Sequence, residues 1–158
     1  MDDVPSNILV KQLKNLLHEG ILGPQKEWSY FSDPGSNGFL GTIGELNFAS
    51  ASKTSGPNDN SVSSHTWHLC FALNATSDWI QGKKSSHDWK ESWRIQKVND
   101  KEWSELQSKL RQEYEEFYHL IETVNLSDEK VIGGVIGTIG HIAYHLGAIR
   151  QKLANSEL

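Results

Sequence analysis

The chain has one cysteine in 158 residues. Cys70 therefore has no partner within the chain, a disulfide scaffold is excluded, and a lone thiol fits a reducing cytoplasm. Positive charge is also short, with 15 Lys and Arg against 20 Asp and Glu for a formal net charge of −5. Without a basic stripe, no nucleic-acid partner is expected. The opening, MDDVPSNILVKQLKNLL, lacks the basic stretch that begins a signal peptide. Nor does any apolar run approach about 20 residues, so neither export nor a membrane partner is expected. No strand pattern competes with the helical spacing of the apolar residues. The length sits near the commonest domain size, and residues 1–158 are read as one domain with a full core. What is plentiful is imidazole and indole, seven histidines and six tryptophans.

Ile8, Leu9, Leu13, Leu16 and Leu17 recur at helical spacing and predict a first helix within 8–22, opening near Pro5-Ser6-Asn7 and closing at Gly20. Residues 20–44 then turn to Gly, Pro, Ser, Asp and Asn, a long connection whose Trp28, Tyr30, Phe31, Phe39 and Leu40 are expected to lid the core. A short helix fits 41–52, and the breaker TSGPNDN at 54–60 supplies a cap for the second long helix. That helix is predicted over Ser61–Ile80 with Gly82 as its stop. Residues 82–99 form a second connection carrying Trp89 and Trp93. A third helix, Asp100–Val124, shows Trp103, Leu106, Leu110, Phe117, Leu120 and Val124 at alternating three and four spacings, and Glu113 continues that seam. Three basic and seven acidic side chains between 100 and 122 are read as a solvated face. The fourth helix begins after Ser127 and runs to about Leu153. Its glycines at 133, 134, 137, 140 and 147 cost helix propensity, which implies close packing of a neighbouring helix. The fold class is all-α, a four-helix bundle with long connections after helices one and two.

On the fourth helix, His141 and His145 stand at i and i+4, so both rings project from one face with Cβ atoms about 5–6 Å apart. An imidazole pair in so apolar a helix needs a partner, either a shared cation or ordinary core hydrogen bonds. No glutamate follows His141, which excludes the His-Glu-x-x-His protease signature. A catalytic-type metal site needs three protein ligands and an open position, and the second helix offers His65 and His68 one turn apart. Cys70 is a poor fourth ligand, since i and i+2 on a helix diverge by about 200°, and it is assigned to the core. His18, His87 and His119 fall at helix ends or in loops and are assigned to the surface.

The run His141-Ile142-Ala143-Tyr144-His145-Leu146-Gly147-Ala148-Ile149-Arg150-Gln151 resembles the closing helix of the DinB-like superfamily of bacterial four-helix-bundle proteins. His65-Thr66-Trp67-His68-Leu69 resembles its second helix. The likeness extends over Leu16 to Pro24, the 38–52 stretch with Ala49-Ser50-Ala51-Ser52, Trp79-Ile80-Gln81-Gly82, and Trp89 to Trp93. Ala148 departs from the glutamine many members carry there. The resemblance implies a bundle in which His68, His141 and His145 hold a divalent metal open to solvent, with His68 chosen over His65 for the leucine that follows it. It also implies a homodimer, and an activity joining a low-molecular-weight thiol, such as bacillithiol or mycothiol, to an electrophile.

Three neutral imidazoles leave a cation its positive charge, so a thiol entering the open position is deprotonated and becomes a nucleophile. Water at the same position makes a metal-dependent hydrolase the chemical alternative, and a non-catalytic metal-binding or stress-associated protein is the rival class. Imidazole suits zinc, nickel and iron alike. Glu113 turned to the site would accept a hydrogen bond from a ligand imidazole, whereas rotation by one position puts Tyr114 inward instead, the reading we favour. Tyr144 is assigned to core packing.

Overall fold

A computed structural model describes residues 6–25 and 29–156; Trp28 and Pro5, the first residue of the predicted opening Pro5-Ser6-Asn7, lie outside them. The described residues form helices and connections with no β-strand: α1 Ser6–Leu22, α2 Phe39–Gly44, α3 Phe48–Ala51, α4 Val62–Ile80, a 3-10 helix Trp89–Trp93, α5 Asp100–Thr123 and α6 Glu129–Ser156. The chain is all-α, as the spacing predicts.

Each long helix begins and ends for a local reason. Ser61 accepts from the Ser64 amide at 3.1 Å to start α4, and Gly82, at φ 68°, turns the chain out of it. Asn99 and Glu102 exchange side-chain and backbone hydrogen bonds at the start of α5, satisfying two of the donors a helix N-terminus leaves open. The predicted seam of α5 is buried at Trp103, Leu106, Leu110, Phe117 and Leu120. These side chains meet Leu13, Leu17 and Ile21 of α1, Leu69 and Leu73 of α4, and Ile142, Leu146 and Ile149 of α6 in one core. In space, α1 packs on α5 and α6, and α4 packs on the same two helices.

Three expectations are corrected. Helix one does not close at Gly20. It runs on to Leu22, and Gly23 at φ 106° ends it with its amide on the Glu19 carbonyl at 3.1 Å. Gly20 instead lets α6 approach, because a Cβ there would stand 2.7 Å from Cγ2 of Ile142. The glycines of α6 are mostly not packing glycines: Gly134 lies under the Trp79 ring, but a Cβ at Gly133, Gly137, Gly140 or Gly147 would meet nothing within 4 Å. They face outward, so their propensity cost is not repaid by a close neighbour within the chain. Tyr30 and Phe31 are exposed rather than a lid; their segment is held from below by Glu19, buried to 2% exposure, which accepts from the amides of Tyr30, Phe31 and Ser32 at 2.7–3.0 Å. Burial pushes that carboxyl's pKa up, but these bonds together with the Ser32 hydroxyl outweigh burial and hold it below the usual range. By length and composition Glu129–Asn155 holds an 18-residue window apolar enough to cross a membrane, at mean hydropathy 1.3 with 39% of the window buried in the protein, a property that the core helix of a bundle shares.

Gly38 tests the crossing of the first connection over α1. A Cβ there would fall 2.3 Å from the Gly23 nitrogen and 2.5 Å from the Ile21 carbonyl carbon. Both are backbone atoms, which cannot swing aside. Gly38→Ala is therefore expected to lose about 3 kcal/mol of stability, read as a lowered urea midpoint with unchanged m-value.

Candidate metal centre

The site is built from α4, α6 and the connection between α4 and α5. That connection is stitched to α4 by the Trp67 indole donating to the Glu91 carbonyl at 2.8 Å and by the Ser61 hydroxyl donating to the Gln96 carbonyl at 2.6 Å. The stitching sets the 3-10 helix against the first half of α4, where Trp93 stacks on His68 with centroids 3.9 Å apart and planes 18° apart.

His68, His141 and His145 converge, one ring nitrogen of each lying within 4.8 Å of the others. Nε2 of His141 stands 3.1 Å from Nε2 of His68 and 2.8 Å from Nε2 of His145. A single Nε2 carries either one proton or one in-plane lone pair, so it cannot pair properly with two such neighbours at once. Three ring nitrogens gathered this closely suit a cation instead. Metal–nitrogen bonds of about 2.0–2.1 Å at tetrahedral angles separate ligand nitrogens by about 3.3 Å, close to the contacts seen here.

The protonation of His68 follows from its neighbour. Ser92, buried to 1% exposure, donates its hydroxyl proton to the Trp89 carbonyl at 2.7 Å. Its oxygen is then free to accept from Nδ1–H of His68 at 2.9 Å, which leaves Nε2 of His68 with its lone pair toward the cluster. All three rings are held neutral. Desolvation lowers the pKa of His68 to about 4 and that of His145 to about 3, with neighbouring imidazoles adding to it, and burial lowers His141 as well. His141 is half-buried and gives the cluster its edge toward solvent. Two exposed aromatics flank it: Trp89, 52% exposed and 6.3 Å from His68, and Tyr144, 71% exposed and edge-on to His145 at 5.1 Å.

Of the two candidates on α4, His68 joins the group and His65 does not. Nδ1 of His65 faces Nδ1 of His145 at 2.8 Å, across that ring from the three convergent nitrogens. Glu113 is buried, yet its partner is Lys109 at 2.9 Å rather than an imidazole, and Tyr114 is buried beside it, so the seam turns both inward. Tyr144 is exposed, not core. Cys70 is in the core, fully buried, with desolvation pushing its thiol up to about 12. His119 is on the surface, but His18 is half-buried with Nδ1 3.3 Å from the Tyr114 hydroxyl, and His87 is tied to Asp78 at 3.0 Å. Sequence reasoning missed Ser92 and the His68–Trp93 stack, both set by the fold of a connection with no periodic pattern to read.

No family model matches the chain, and neither a characterised protein nor a solved structure matches it.

Proposed function

We propose that the protein is a DinB-like four-helix bundle whose His68, His141 and His145 hold a divalent metal, and that it transfers a low-molecular-weight thiol to an electrophile. The clustering of ring nitrogens of His68, His141 and His145 within 4.8 Å of one another carries the metal assignment. The resemblance of the two histidine motifs and their flanks carries the reaction class and homodimeric assembly, and the lone cysteine supports a cytoplasmic setting. When bound, the cation supplies the positive charge that lowers the pKa of a thiol placed at its open position. The protein's own contribution is positional. Ser92 and Trp93 fix the His68 ring, burial keeps the imidazoles neutral and available, and the group the structure brings together has three members, which leaves room for a small ligand. Trp89 and Tyr144 offer apolar faces beside it on which an organic electrophile can rest.

The test is conjugation by metal-loaded and metal-free protein. Bacillithiol, mycothiol, glutathione and coenzyme A are each offered with a haloalkane or a chloro-nitroaromatic. The new sulfur–carbon bond forms as the carbon–halogen bond breaks, releasing halide and giving the thiol proton to solvent. A metal-dependent rate with at least one thiol is expected, unchanged in Cys70→Ser because that thiol is sealed in the core. Absence of any such rate across the panel refutes transfer and leaves hydrolysis or a non-catalytic role.

A further inference from the structure

His145 is buried to 2% exposure, so both of its ring nitrogens need partners inside the protein. Nε2 faces His141 at 2.8 Å, and Nδ1 faces Nδ1 of His65 at 2.8 Å. If Nε2 is to present a lone pair to a cation, the ring proton must sit on Nδ1, and an acceptor must stand there to receive it. The tautomer of His65 with its proton on Nε2 is such an acceptor. Its ring is itself braced, edge-on to Trp93 with centroids 5.5 Å apart and planes at 85°. The same tryptophan lies flat on His68. His65 and His68 are one turn apart on α4, so one rigid helix supplies both a member of the triad and the partner of another member.

We propose that His65 is a positioning residue of the metal centre: its Nδ1 accepts the hydrogen bond of His145 Nδ1–H, fixing the tautomer and orientation in which His145 Nε2 can ligate. The proposal rests on the metal assignment above and adds to it the counterpart of what Ser92 does for His68. Ligand imidazoles generally give their second N–H to an outer partner of this kind, and loss of the partner weakens metal binding without removing a ligand.

Wild type, His65→Phe and His65→Asn are stripped of metal and titrated with zinc against a chromophoric chelator, then with cobalt to record its visible bands. Phenylalanine keeps a flat ring and removes the acceptor, while the asparagine Oδ1 falls where the histidine Nδ1 stood. One ion per chain is expected in all three, with cobalt bands of the same coordination number. His65→Phe should bind about 10- to 100-fold more weakly than wild type and His65→Asn within about threefold of it. Equal affinity in all three, or no rescue by asparagine, overturns the proposal. So does loss of stoichiometric binding in both variants with one nitrogen fewer around cobalt, since His65 would then be a ligand. A wild-type chain that takes up neither ion defeats the metal assignment itself, and that outcome is recognised without any variant.

Discussion

Alanine in place of His141 or His145 is expected to reduce bound divalent metal to background while the far-ultraviolet helical signal persists. Each substitution removes one of three convergent nitrogens, and two imidazoles on one cation retain little of the affinity of three. The two variants should differ in their side effects. His141 is half-buried at the solvent edge, so its loss leaves little void. His145 is 2% exposed, and its loss opens a cavity and strands the ring of His65, adding a stability cost of about 2 kcal/mol or more. His68→Ala should match them in metal content, although it also removes the stack on Trp93. Metal analysis after purification without a metal-affinity tag decides the matter; stoichiometric metal retained by both α6 variants defeats the assignment.

Acid should unfold the metal-free protein early. Desolvation, followed by neighbouring imidazoles, holds His145 at about 3 and His68 at about 4; desolvation, followed by the Lys152 ammonium, holds His65 at about 4. In the unfolded chain the same rings titrate near 6.5. Below that pH the unfolded state therefore binds protons that the folded state refuses, and ∂ΔG/∂pH for unfolding is positive. Stability is complete above about pH 6.5 and falls steadily toward pH 4, by about 1.4 kcal/mol per pH unit for each histidine in that window. Urea midpoints of chelator-treated protein at pH 7.5, 6 and 5 should drop in that order. A flat profile across the range would mean that the rings are hydrated rather than buried.

Much of the architecture was legible because long amphipathic helices repeat their signal. The seam from Trp103 to Leu120, the stop at Gly82 and the break before Ser61 placed α4 and α5 to within a residue or two. The pair on α6 was legible for the same reason, since i and i+4 share a face whatever the helix packs on. His65 and His68 were not separable that way: three residues apart, both lie near one face, and the rotation of α4 against α6 decides which ring reaches the centre. Of the α6 glycines read as packing devices, Gly134 is one but those along the outer face are not, while Gly20, read as a helix stop, is a close-packing position, because a missing Cβ is equally silent against a neighbour and against solvent. Glu19 and Ser92 carried no pattern at all. Their roles come from connections that fold back over helices, a contact that no local period encodes.

The convergence of α4 and α6 also bears on how the chain is tied together. His68 and His141 are 73 positions apart, so a cation shared between them acts as a cross-link that closes nearly half the chain into a loop. Unlike a disulfide, such a link is released when the chain unfolds, so it would stabilise the fold through its binding free energy, rising with free metal concentration, rather than by restricting the unfolded ensemble. With Cys70 alone and sealed in the core, no sulfur link joins these segments, and a cation at the histidine centre would tie α4 to α6 only while the chain is folded, which makes chelation a direct way to loosen the two helices.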